Sequence, residues 1–322
     1  MKFTTIPKNG ASWHDNLIYE FDSEIAEGAD YTLSINDKSR GIVIGLVTLR
    51  NVTKAKVDIA PYIRRIMGTT PAVGTTPAVS ISPAALIINL SCDDIRSENR
   101  LIFRSEIKSL APELYTRSVT RQTVRRNDPI LLTAYGEEYV TVRIRYMHNN
   151  GSTTKEITHR TYGLPAEICI PTTSTNDTLR SVHLTISCDN AVTYERDYTI
   201  GEGLDNAATL YWHNPMGGVD HYTFPLVRLQ ERYAEVESIT TSTTTYRNLK
   251  SDRLTYTLTS AREVPEQMSQ LAEIVGSPHI FCHLDGSLVE VEMPERKIVY
   301  DNHGALPLLQ IKLTTNAKCR LL

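Results

Sequence analysis

Residues 210–224 read Leu210-Tyr211-Trp212-His213-Asn214-Pro215-Met216-Gly217-Gly218-Val219-Asp220-His221-Tyr222-Thr223-Phe224. Aromatic and imidazole rings crowd both sides of Pro215 and the Gly217-Gly218 pair, a composition that fits two strands around a sharp turn. Gly-Gly permits backbone angles that side chains forbid, so the stretch reads as a β-hairpin with a packed aromatic face. It holds no reaction motif. Tyr211, Trp212, Asn214, Gly217, Gly218, Tyr222 and Phe224 are therefore expected to serve packing or an interface.

Outward from this hairpin the chain keeps reading as strand. Period-2 segments recur at residues 31–35, 41–49, 86–90, 101–107, 139–147, 181–187, 193–200, 254–259 and 308–313, separated by polar turn signals. Residues 148–151, His-Asn-Asn-Gly, predict one hairpin turn and Asp285-Gly286 another. Short strands at this spacing imply a mainly β chain of tandem antiparallel β-sandwich domains, Ig-like or related, with one or two short helices. The clearer helix is expected near 264–275, with Ser260 and Glu263 as a capping box, Pro265 in the first turn, and Met268, Leu271, Ile274 and Val275 on one face. Gly276 and Pro278 would stop it. A shorter one is expected over 59–67.

Composition shifts at residues 109–113 and 201–205 divide the chain into an N-terminal β domain (1–112), a middle β-sandwich (113–202) and a C-terminal β domain (203–322) that carries the 264–275 helix. In the first of these the hexapeptide Gly-Thr-Thr-Pro-Ala-Val occurs twice without change, at 68–73 and 74–79. Two Pro, two Gly and four Thr in twelve residues cannot supply a core, so 68–79 reads as an extended loop outside the domain body. It is either a flexible linker or an arm reaching a neighbouring subunit.

Tyr211, Trp212, Asn214, Gly217, Gly218, Tyr222 and Phe224 together form an aromatic-Trp-x-Asn-x-x-Gly-Gly-x-x-x-Tyr/Phe-x-Phe signature. It resembles one found in virion structural proteins of phages and prophages of the Bacteroidetes. Val57-Asp58-Ile59-Ala60-Pro61-Tyr62-Ile63-Arg64 is similar to an N-terminal element of such proteins, with Ala60 where Ser is usual. Residues 271–278 and the strands at 279–284 and 288–293 resemble the short helix, Ser-Pro break and hairpin that close them. The middle third carries no specific match. The resemblance implies a subunit of the tail, neck or baseplate that acts by contact with copies of itself and other virion proteins.

Composition agrees with such a role. Over 322 residues, 22% are charged and 41% hydrophobic, and the formal net charge is -3. That charge offers no general attraction to nucleic acid or an anionic membrane, and no apolar run is long enough for membrane insertion. The N-terminus lacks the apolar core of a signal peptide, which places synthesis in the cytoplasm; the resemblance implies a bacterial host and the virion as the product's destination. Cys92, Cys169, Cys188, Cys282 and Cys319 are expected to be buried, reduced thiols. The group His279, Cys282, His283 has no second cluster, and strand alternation turns His279 and Cys282 to opposite faces, so neither metal nor cofactor is expected. Arg117, Arg121, Arg125 and Arg126 form the basic cluster, expected on a solvated face paired with acids.

Nucleophile-elbow, P-loop, dinucleotide-binding and zinc-protease motifs are absent. Asp220 and His221 adjoin but face opposite ways on a strand, so no catalytic residue is expected and the chain reads as a non-enzyme. Two alternatives remain open: a carbohydrate- or receptor-binding adhesion module in which exposed Trp and Tyr stack on glycan, and a β-sandwich enzyme whose carboxylate pair is hidden in the fold.

Overall fold

A computed structural model describes residues 2–24, 27–105, 111–118, 120–173, 179–202, 204, 206–240, 244–284, 286–301, 306–316 and 321. Among these, strand accounts for 59% and helix for 7%. The mainly β, antiparallel reading holds, and all nine period-2 segments contain a strand. Cys319 lies outside the described residues.

The N-terminal part consists of β1 (Lys2–Thr5), β2 (Ala11–Ser12), β3 (Ile18–Asp22), β4 (Ala29–Asp37), β5 (Ile42–Val52), β6 (Lys54–Asp58), α1 (Ala60–Met67), β7 (Ala78–Ile81), β8 (Ala85–Cys92), β9 (Ile95–Arg96) and β10 (Arg100–Phe103). A sheet β1-β3-β6 and a sheet β2-β10-β8-β4-β5 enclose one core. The helix packs Ala60, Ile63 and Met67 into that core, the spacing of a single helical face. Pro61 fits its first turn, where a missing N–H costs nothing. The Asp58 carboxylate holds its entry by accepting from the backbone N–H of Leu17 and Ala60.

The middle part has β11 (Glu113–Leu114), β12 (Arg121–Arg125), β13 (Ile130–Tyr135), β14 (Tyr139–His148), β15 (Gly151–Arg160), β16 (Ala166–Ile170), β17 (Leu179–Cys188) and β18 (Val192–Gly201). Sheets β11-β13-β16-β7 and β12-β18-β17-β14-β15 share one core. This is the immunoglobulin strand arrangement with one substitution. The edge position beside β16, normally filled by a strand of the same domain, is taken by β7 from the N-terminal part, which pairs Ala78–Ile81 with Cys169–Ala166. Two pairings, β10 with β2 and β12 with β18, are parallel, an exception to the antiparallel expectation.

The extended loop expected over 68–79 is corrected at its end. Ala78 and Val79 are in β7, and Val79 packs against the middle core. The tether is residues 68–77, and it reaches another part of its own chain. Backbone hydrogen bonds to β16 and an apolar side chain at the sandwich edge are what draw the second repeat copy into a strand.

The C-terminal part has β19 (Ala208–His213), β20 (Val219–Phe224), β21 (Leu226–Thr240), β22 (Thr245–Thr259), α2 (Pro265–Ala272), β23 (Ile280–Leu284), β24 (Ser287–Val291), β25 (Val299–Asp301) and β26 (Leu308–Asn316). Sheets β20-β19-β23-β24 and β21-β22-β26-β25 close on a third core with α2. The capping box does not form: the Ser260 hydroxyl bonds the Ala261 carbonyl, and Glu263 accepts from the Tyr222 hydroxyl at 2.6 Å. The helix ends at Ala272 and tightens into a 3-10 turn over Glu273–Gly276.

Candidate functional site: a three-way junction

The hairpin β19–β20 sits where the three parts meet. Its pairing sets Trp212 opposite Asp220, Tyr211 opposite His221 and Leu210 opposite Tyr222. All twelve strand residues are buried, although a hairpin facing one core would leave alternate residues wet. Leu210, Trp212, Tyr222 and Phe224 enter the C-terminal core. Tyr211 and Val219 face the other way, onto Leu131 and Cys169 of the middle part and Phe281. The Tyr211 hydroxyl reaches across to the Pro129 carbonyl at 2.7 Å.

The turn explains its own residues. Asn214 accepts from Gly218 N–H through its side-chain oxygen and donates through Nδ2 to the Tyr115 carbonyl at 2.7 Å. Gly217 has φ +81°, which favours glycine. Gly218 is required by proximity instead, because a Cβ there would lie 2.8 Å from the Tyr115 carbonyl oxygen. Every residue of the signature thus has a packing, turn or hydrogen-bonding role.

Arg104, which no local pattern in the sequence singles out, ties the turn to the N-terminal part. Its guanidinium is fully buried and donates to the Gly217 carbonyl at 2.8 and 2.5 Å, to the Met67 carbonyl at the end of α1 at 3.0 Å, and to His213 Nε2 at 3.1 Å. Burial pulls Arg104 down to about 10 and, with the guanidinium beside it, holds His213 neutral, well below its usual range. From the middle part, the Thr116 hydroxyl bonds the Val219 carbonyl, Val219 N–H bonds Thr133 Oγ1, and Asp220 Oδ1 accepts from the backbone of Arg117 and Ser118. Burial raises the Asp220 carboxyl to about 7 against those amides.

Asp220 and His221 do not form a relay. The His221 ring is stacked between Tyr198 and Tyr211, with centroids 5.6 and 5.8 Å away. The histidines and cysteine of 279–283 also separate. His279 bonds Glu290 at 2.7 Å, Cys282 lies in the C-terminal core, and His283 forms a buried bridge to Asp128 of the middle part at 2.8 Å. No group of three or more metal-ligating side chains occurs among the described residues. Cys92, Cys169, Cys188 and Cys282 are buried, and burial pushes the Cys188 thiol up to about 12.

In the basic cluster, Arg121 and Arg125 share the outer face of β12. Arg117 lies ahead of β12 and pairs with Glu273, Arg126 pairs with Glu202, and Arg121 lies 3.7 Å from Asp197. A cleft of about 510 Å³ opens beside the junction between the N- and C-terminal parts, lined by Trp13, Arg104, His213, Met216 and Glu273 among others. Trp13 and Trp212 are both buried, so neither offers an open ring face to a sugar.

One element stands apart. β21 and β22 run fifteen residues each, but among the described residues β26 pairs with Arg253–Thr259 of β22 and no farther. Residues 228–234 of β21 are all exposed, so both faces of that strand are in solvent. Leu229, Tyr233 and Val236 are more than half exposed. Beyond the last described rung shared with β26, residues 234–240 pair, among the described residues, with β22 alone, a reach of about 23 Å.

No protein-family model matches this chain, and no curated protein matches it. No helix among the described residues is long and apolar enough to cross a membrane.

Proposed function

We propose that this chain is a structural subunit of a phage virion, in the tail, neck or baseplate region, that acts without chemistry through contacts with copies of itself and other virion proteins. The observation that carries this reading is the β21–β22 ribbon. A two-stranded ribbon with large apolar side chains in water is marginal by itself, and exposed apolar surface of this kind favours association. Its base is anchored in a body whose three parts are joined by buried hydrogen bonds, so a neighbour seated on the ribbon is held at a defined angle. The likeness of the hairpin signature to virion proteins of Bacteroidetes phages supports the same reading. Head-to-tail association of such subunits gives closed rings when the rotation closes, with a main interface above roughly 1,000 Å².

Imaging of particles from a producing strain tests it. The chain is expected in symmetric rings, with the ribbon against a neighbouring protein. Particles that lack the chain would overturn the proposal.

A further inference from the structure

Seven polar side chains line a small chamber between the middle and C-terminal parts: Ser118 before β12, Gln122 on β12, Trp212 on β19, Asp220 and His221 on β20, and Gln267 and Gln270 on α2. The chamber measures about 10 Å³. Ser118 Oγ, Gln122 Oε1, Trp212 Nε1, Asp220 Oδ2 and Gln270 Oε1 are all shielded from solvent and have no hydrogen-bond partner in the protein. Both ring nitrogens of His221, stacked between two tyrosines at the chamber wall, are likewise unpaired; folded proteins leave few such atoms unpaired, and this many around one space of this size point to a shared ligand.

The donor set identifies that ligand. The Trp212 indole N–H can only donate, the Asp220 carboxylate and the glutamine carbonyls accept, and the Ser118 hydroxyl does either. A metal cation would suit the oxygens but would face the indole N–H. An anion would face the carboxylate and two carbonyl oxygens. Water alone accepts from the indole while donating to the carboxylate, and a space of about one probe sphere holds a single molecule. Asp220 Oδ1 is already engaged by the backbone of Arg117 and Ser118, which leaves Oδ2 for the chamber.

We infer that the chamber is a binding site for one ordered water molecule, which accepts from the Trp212 indole N–H and the Ser118 hydroxyl and donates to Asp220 Oδ2 and Gln122 Oε1, and so bridges the middle part to the C-terminal part. The indole of Trp212 then has a polar task besides packing, and the bridge adds to the Asp220 Oδ1 bonds that already tie the two parts together.

A crystal structure of the full chain at about 1.8 Å or better tests this, paired with oxygen-17 magnetic relaxation dispersion of the wild type and of Ser118→Val, whose methyls would fill the space. The expected result is one density peak at hydrogen-bond distance, about 2.7–3.2 Å, from Trp212 Nε1 and Asp220 Oδ2, and one fewer long-lived water in the variant. Three results would overturn it: side chains bonded directly to one another across the chamber, a peak at about 2.3–2.6 Å from the oxygens as for a metal ion, or an unchanged count of long-lived waters in a folded Ser118→Val. If that variant does not fold, the wild-type crystal structure decides alone.

Discussion

Two hairpins follow one another in the chain and meet opposite fates. In β19–β20 every strand residue is buried, whereas the next hairpin, β21–β22, carries a run of seven exposed residues on one strand. The first spends its aromatic side chains inside the molecule, on two cores at once. The second displays Leu229 and Tyr233 to solvent. The contrast teaches that an aromatic-rich hairpin is no sign of a binding surface when both faces have protein to cover them, and that the surface is better sought where apolar residues lack such cover.

Substitution should expose the contrast most sharply at Trp212. Trp212→Ala is expected to cost about 3–5 kcal/mol through the cavity it leaves, while Tyr233→Ala on the ribbon should change stability by no more than about 0.5 kcal/mol. Urea unfolding of both variants measures the difference. Equal costs would erase the distinction between the hairpins.

Next in size is a pH effect at the buried hairpin, beside one of the same sign from Glu167 on β16, whose carboxyl burial also raises to about 7. An unfolded Asp titrates near 3.9, and the folded Asp220 at about 7. Between those values the native state holds the extra proton, so this group's stabilising contribution is complete below about pH 4 and is lost as pH rises through about 7. A rise of that size corresponds to a ceiling of about 4 kcal/mol. Asp220→Asn, which keeps an oxygen for the Arg117 and Ser118 amides, should flatten that slope when stability is measured from pH 4.5 to 8. An unchanged slope would remove Asp220 as its source.

At the turn, Gly218→Ala should cost about 1–3 kcal/mol, because the atom in the way is backbone. Gly217→Ala should cost about 1–2 kcal/mol through its left-handed conformation. Thermal melts would rank the pair.

The repeat supplies the smallest test and the clearest limit on what a sequence tells. Its two copies are identical, yet the first follows α1 as irregular chain and the second ends as a strand of the middle sandwich. A Cβ on Gly68 would come within 2.5 Å of His279 Nε2, whereas nothing lies within 3.5 Å of one on Gly74. Gly68→Ala should therefore cost about 1 kcal/mol or more, and Gly74→Ala should be neutral or stabilising by about 0.4–1 kcal/mol. The same change at equivalent places in two identical hexapeptides would then have opposite signs, and equal outcomes would show that context does not separate them.

Much of the fold was legible because period-2 alternation reports a strand with one wet face. The hairpin at 210–224 was legible from its rings and glycines. β21 was not, since register breaks near Gln230 and Glu235 reset its alternation and two wet faces erase the pattern. Arg104 was not, because its partners, Met67, His213 and Gly217, are remote in sequence. Nor could the capping box be judged locally: Glu263 is drawn away by Tyr222, a contact only the tertiary fold creates.

The central claim is that the ribbon is the contact arm, and site-specific photo-crosslinking tests it most directly. A benzophenone side chain placed at Tyr233, in cells making the chain from its native locus beside its neighbouring genes, should yield adducts with another copy or another virion protein, while the same probe at the buried Tyr211 should yield none between molecules. Absence of intermolecular adducts from Tyr233 in assembled particles would contradict the account.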